Sequence, residues 1–180
     1  ILPLDFDTRH IVSGNVDYRY GFGPNYNGPM MGETRVLEGF GINLLARGIS
    51  GTPYSARVRA YELTDGASGV PLTGQINGSR QPWTFTVDAT INKEWRLNGG
   101  RSFDVYVAIL NVFDTRNVLN VYAYTGAPDD DGWLASPQGQ TSIAFRADAQ
   151  SYADLYAVAV NSPFNYSLPR RMRLGIRYNF

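Results

Sequence analysis

The stretch Arg170-Arg171-Met172-Arg173-Leu174-Gly175-Ile176-Arg177-Tyr178-Asn179-Phe180 decides how this chain is read. With a period of two, Met172, Leu174, Ile176, Tyr178 and Phe180 fall on one face of a strand, and Arg171, Arg173, Gly175, Arg177 and Asn179 fall on the other. One face is wholly apolar; the other carries three guanidiniums. A soluble sandwich strand also alternates, but its polar face seldom holds so much charge over so short a run. A strand that crosses a bilayer in about 9–11 residues is apolar toward lipid and polar toward a wet lumen. The stretch therefore points to a transmembrane β-barrel.

Composition is consistent with that. Lys plus Arg and Asp plus Glu are 16 each, so no net field argues for a nucleic-acid partner. There is no cysteine, which removes disulfides and thiolate metal sites. Twelve Tyr, 19 Gly and 10 Pro favour strands and turns over helices. The longest apolar run, Val105-Tyr106-Val107-Ala108-Ile109-Leu110, is far short of the ~18 residues of a membrane helix. A membrane location would thus require a barrel, whose closed ladders satisfy every backbone group. The chain opens at Ile1 without Met or a signal peptide, as expected of a mature or internal segment.

Working outward, the alternation predicts six strands, at about 9–21, 36–48, 53–61, 81–96, 101–112 and 171–180. In the fourth, Trp83, Phe85, Val87, Ala89, Ile91 and Trp95 oppose Thr84, Thr86, Asp88, Thr90 and Asn92. Trp83 and Trp95 are spaced to span roughly 30 Å of barrel height, an apolar band with its aromatic girdles. Long Gly/Pro-rich loops at 22–35, 62–80 and 113–169 alternate with short turns at 49–52 and 97–100. Outer-membrane barrels have that asymmetry, with long loops outside and short turns in the periplasm. On this count both chain ends are periplasmic. Ser151 and Asp154, followed by Leu155, Tyr156, Ala159 and Val160, predict one short loop helix at 151–160.

Six strands cannot close, because the smallest membrane barrels have eight and an open sheet leaves edges in hydrocarbon. Three motifs bear on this. Leu4-Asp5-Phe6-Asp7-Thr8-Arg9-His10 carries a D-x-R-H lead-in, and Asn111-Val112-Phe113-Asp114 an N-[LV]-F-D segment. Pro169 to Phe180 fits P-R-x-x-x-x-G-x-x-x-x-F. Together they resemble the carboxy-terminal part of TonB-dependent outer-membrane receptors of the Oar-like kind. The resemblance implies an all-β fold, in which residues 1–180 supply about the last six strands of a single 22-stranded antiparallel transmembrane β-barrel domain. It implies a receptor in the outer membrane of a Gram-negative bacterium that binds a ligand at the cell surface and imports it with TonB energy. Its partners would be the plug and remaining barrel, the TonB complex, the barrel-assembly machinery, outer-membrane lipid and a surface lipoprotein. Tyr178 and Phe180 would form the barrel-assembly signal.

Other candidate residues follow from the pattern itself. Arg57, Arg59, Arg171, Arg173 and Arg177 fall on the lumen-facing side, where they could guide an anion, grip a plug or pair with lumenal carboxylates. Tyr122, Tyr124, Trp133 and Tyr152 could stack against a ligand or simply pack their loops. Asp129, Asp130 and Asp131 are acidic, but they lack the spacing of a calcium loop, so a solvated loop tip is the expectation. His10 is the one histidine, and no nucleophile–base constellation, phosphate loop or metal-ligand spacing stands out. Neither an enzyme nor a cofactor is expected. A structural or adhesive outer-membrane barrel without active transport is the alternative, and a soluble β-sandwich the next. The transported substrate is not encoded in these residues.

Overall fold

The computed structural model describes residues 2–180. Among them are strands β1 (Ile11–Arg19), β2 (Met30–Met31), β3 (Thr34–Arg35), β4 (Phe40–Ile49), β5 (Pro53–Tyr54), β6 (Ser79–Arg80), β7 (Thr84–Arg96), β8 (Ser102–Leu110) and β9 (Arg171–Asn179). Two helices, α1 (Pro137–Ala144) and α2 (Ala149–Val160), lie between β8 and β9 in sequence. The chain divides into two compact units. A sheet unit comprises Val12–Gly48, Phe85–Thr115 and Pro169–Phe180, and a loop unit holds the residues up to Ile11, Ile49–Thr84 and Arg116–Leu168. No helix among the described residues is long and apolar enough to cross a membrane.

The main sheet is antiparallel and has five strands in the order β1-β4-β7-β8-β9. Tyr20 N donates to Phe40 O at 2.9 Å, Glu94 N to Gly39 O at 2.9 Å, and Val112 N to Val87 O at 2.7 Å, which fixes neighbouring strands head to tail. The turn from β7 to β8 is the one foreseen. Asn98–Gly100 forms a 3₁₀ turn in which Gly99 and Gly100 take φ of 79° and 77°, a region where only glycine is unstrained. Leu97 N donates across it to Arg101 O at 2.8 Å.

One expected strand is not in the sheet. At 53–61 only Pro53–Tyr54 is extended, paired with Ser79–Arg80. The amides beyond it bond elsewhere in the loop unit, Arg57 N to Ala123 O at 2.8 Å and Val58 N to Pro71 O at 3.1 Å. Period-two alternation signals extended backbone with two unlike faces, and a loop hairpin satisfies that as well as a barrel strand does. Arg57 and Arg59 accordingly lie in the loop unit, off the sheet.

Five strands instead of six change the sidedness. β1 begins at the end of the sheet where β9 begins, so the chain enters the sheet at one end and leaves it at the other, and only the carboxy-terminal end keeps the expected side. The 20–39 connection leaves from the same sheet end as the 97–101 turn, whereas 50–83 and 111–170 leave from the other. The strict alternation of long and short connections does not hold either, since only 97–101 is short.

The loop unit has its own core. Ala60, Trp133, Tyr156 and Val160 are buried together, with Leu63, Tyr122, Leu134 and Tyr152 packed against them. α2 starts earlier than Ser151, because Asp148 is the cap and accepts from Ser151 N at 2.9 Å. α1 was not foreseen. Its signal is Ser136-Pro137, a capping hydroxyl that accepts from Gly139 N at 3.0 Å and a proline at the first helical position.

Candidate functional site

The sheet presents two unlike surfaces. Register places Ile91 opposite Val107 and Trp95 opposite Phe103 across β7 and β8. It then places Ile109 opposite Met172, Val107 opposite Leu174, Val105 opposite Ile176 and Phe103 opposite Tyr178 across β8 and β9. The rows read from the sequence thus merge into one apolar face. That face is uncovered: Met172, Leu174 and Ile176 are 67%, 70% and 65% exposed. Each such side chain gains about 1.5–3 kcal/mol on full burial, so leaving four or five in water forfeits on the order of 10 kcal/mol. That is comparable to the whole stability of an ordinary domain, about 5–15 kcal/mol. A face of this kind demands an apolar neighbour.

The opposite face is polar and partly cross-linked. Asn43 Nδ2 donates to Asn15 Oδ1 at 2.9 Å and to Asp17 Oδ2 at 3.2 Å, and Arg19 pairs with Asp17 at 2.9 Å. Asp104 is buried, accepts from Asn92 Nδ2 at 2.9 Å, and stands opposite Arg177. Arg173 and Arg171 stand opposite Ala108 and Leu110 and line a cavity of about 400 Å³. Gly175 is required by its neighbour, because a Cβ there would overlap the Tyr106 ring. The Arg177 guanidinium lies 5.9 Å from the centre of that same ring.

Two of the motifs form one junction within the sheet unit. Asn111 and Asp114 both have positive φ, 58° and 54°, a conformation that asparagine and aspartate tolerate better than most residues. Asn111 Nδ2 donates to Thr115 O at 3.0 Å and its Oδ1 accepts from Thr115 N at 2.9 Å, which ends β8 in a closed turn. Asp114 Oδ1 then accepts from Arg170 N at 2.7 Å, just before β9. The N-V-F-D segment and the P-R of the last stretch are therefore two halves of a clamp across the β8–β9 end. Tyr178 and Phe180 follow at the opposite end, their rings stacked at 6.3 Å.

The loop candidates are arranged around a buried carboxylate. Asp131 accepts from Trp133 N at 2.9 Å and from the Tyr156 hydroxyl at 2.6 Å, and that hydroxyl in turn accepts from Leu63 N at 3.0 Å. Trp133 Nε1 donates to the Tyr152 hydroxyl at 3.2 Å, which donates to Glu62 Oε1 at 2.9 Å. Burial, reinforced by the Asp131 bond, pushes the Tyr156 phenol well above its ordinary range, and burial raises Tyr122 as well. Trp133 is buried, Tyr122 and Tyr152 half-buried, and Tyr124 exposed. Asp129 and Asp130 are exposed, and Asp130 Oδ1 accepts from Gly132 N at 2.8 Å. Among the described residues no group of three or more His, Asp or Glu is placed to hold a metal ion. The lead-in motif also belongs to this unit: Asp7 pairs with Arg80, and His10 stacks on Trp83 at 6.0 Å.

Comparison with known proteins gives one distant likeness. The chain is 27% identical over 153 residues, 77% of its length, to the TonB-dependent transporter Oar of Myxococcus xanthus. That likeness is to a transporter. The match takes in 14% of the Myxococcus protein, so this chain spans only a small part of that relative's length. No family model and no solved structure matches.

Beside that likeness, three residues that sequence reasoning passed over stand out. Lys93 sits in the apolar row of β7 between Ile91 and Trp95, where the strand pattern was read straight past it. Tyr156, whose spacing marks it only as a residue of the loop helix, is a donor to the buried Asp131 carboxylate. Asn111 was part of a motif without a role. Its positive φ gives it one, and asparagine at the end of an apolar run was the available signal.

Proposed function

We propose that this chain is the carboxy-terminal part of the barrel of a TonB-dependent outer-membrane receptor, a transporter rather than an enzyme. The observation that carries it is the apolar face that runs across β7, β8 and β9, interrupted at Lys93 and uncovered along β9, backed by a polar face with Arg171, Arg173 and Arg177. Bilayer hydrocarbon on one side and a wet lumen on the other account for both. The unpaired outer edges of β1 and β9 support a larger barrel, since an open sheet in lipid would leave a row of backbone groups unbonded. The likeness to Oar supports the transporter class.

In this proposal β9 runs from the cell surface at Arg171 to the periplasm at Asn179. The connections 50–83 and 111–170 are then extracellular, and 20–39 is periplasmic. The three arginines of β9 face the lumen, where a plug would sit, and the loop unit with its Tyr124 surface meets the ligand. Tyr178 and Phe180 serve the barrel-assembly machinery. Import of the bound ligand would draw its energy from the TonB complex.

Heat-modifiable mobility of the complete protein from washed outer membranes tests the architecture. A compact unheated band that shifts on boiling, together with surface proteolysis of 111–170 in intact cells, is expected. A protein recovered from the soluble fraction without any shift would defeat it. TonB dependence is tested separately, by crosslinking the complete receptor to TonB.

A further inference from the structure

We propose that the cavity between the 20–39 connection and the end of β7 binds the phosphodiester headgroup of an anionic glycerophospholipid. The proposal rests on the membrane reading above. The cavity measures about 830 Å³ and its wall includes Met31, Arg35, Val36, Lys93, Trp95 and Arg96. Glu38 and Glu94 complete the charged lining, which leaves three cations against two carboxylates.

The cations are not equivalent. Arg35 lies 3.3 Å from Glu38, and Arg96 lies 3.8 Å from Glu94 with its guanidinium 3.8 Å over the Phe22 ring. Lys93 instead donates to the carbonyls of Val36, at 3.2 Å, and Glu38. No carboxylate lies at salt-bridge distance from it among the described residues. The cation of the cavity held by carbonyls rather than by a salt-bridged carboxylate is therefore Lys93, whose charge Glu38 feels through space. It stands opposite Val105 in the apolar row, beside Trp95, at the end of the strand. A cation and an indole at the end of an apolar row mark the level at which lipid headgroups meet water.

Two features select a lipid over a soluble anion. Met31, Val36 and Trp95 give the cavity an apolar wall, which a glycerol backbone needs and a free phosphate does not. That wall also leads onto Ile91, Val105 and Val107, a half-buried apolar row along which acyl chains would lie. The net positive lining favours a headgroup of net negative charge, phosphatidylglycerol over phosphatidylcholine. This end of the sheet faces the periplasmic leaflet in the proposed orientation, and that leaflet is made of glycerophospholipid.

The test uses the complete receptor, reconstituted in nanodiscs of equal parts phosphatidylglycerol and phosphatidylcholine and then released into mild detergent for native mass spectrometry. Phosphatidylglycerol should be retained over phosphatidylcholine, and Lys93→Gln should cut that preference about fivefold, the worth of one cation near an anionic surface. Arg35→Gln should lower it in the same direction, and it decides the matter if Lys93→Gln loosens the connection and fails to insert. Equal retention of the two lipids, or a preference unchanged in the inserted variants, overturns the proposal. Displacement of the lipid by inorganic phosphate overturns it in favour of a soluble anion. A wild-type protein that never enters the bilayer sinks the membrane reading itself, an outcome distinct from insertion without lipid preference.

Discussion

The two units solve opposite solvent problems. The loop unit hides Trp133, Tyr156 and Val160 from water and pairs the buried Asp131 carboxylate with a hydroxyl and a backbone amide. The sheet unit leaves Met172, Leu174 and Ile176 out and has hardly any buried apolar side chain, Ala89 excepted. Water suits the first arrangement and not the second. Side chains of the same kind are thus core in one unit and surface in the other, and the difference lies in what each surface is meant to touch.

The largest effect expected is on the loop unit. Trp133→Ala should cost about 3–5 kcal/mol, the usual loss for a buried tryptophan, and should expose 116–168 to protease while heat-modifiable mobility stays intact. Joint loss of both readouts would mean that the two units do not stand independently. Next comes Leu174→Arg. A residue already exposed to water would tolerate it, whereas one facing the bilayer midplane should lose about 2–4 kcal/mol in folding into vesicles. Ala108→Arg, on the other face, should be far milder, and equal effects would break the two-faced assignment.

Tyr156→Phe removes the donor to a buried carboxylate and should cost the loop unit about 1–3 kcal/mol, read as faster proteolysis. The raised phenol sets the sign of the pH dependence. Because the phenol is neutral in both states below about pH 10, its bond contributes fully there and is lost only as pH climbs toward the raised folded value. Protection by Tyr156 should therefore be flat through neutral pH and fade in strong alkali. The smallest effect belongs to Gly175→Ala, about 1 kcal/mol of overpacking against Tyr106, with Tyr106→Ala restoring the loss in a double-mutant cycle.

The faces of β7, β8 and β9 were legible because a barrel strand repeats every two residues and every repeat is spelled out locally. The same local signal misled at 53–61. Tyr54, Ala56, Val58 and Ala60 alternate with polar residues, yet the Val58 amide pairs with Pro71 and the neighbouring Arg57 amide with Ala123, partners that no local pattern names. One miscounted strand then moved the 20–39 connection to the other end of the sheet, since antiparallel order converts a count into a side. α1 was missed because its evidence is a cap and a proline rather than an apolar stripe. Among the loop candidates, Trp133 and Tyr152 were visible as aromatic residues, but their bonding to each other and to Glu62 was not.

The last stretch shows where the division falls. Its sequence by itself determined an apolar face and an arginine face, because those depend only on the pleat. The tertiary structure alone decided that Tyr106 must lie over Gly175, that Asp114 must hold the amide of Arg170, and that Leu174 must stay uncovered. Those facts concern residues brought together from far along the chain, and their pairing is set by register and packing rather than by any period a single segment can carry.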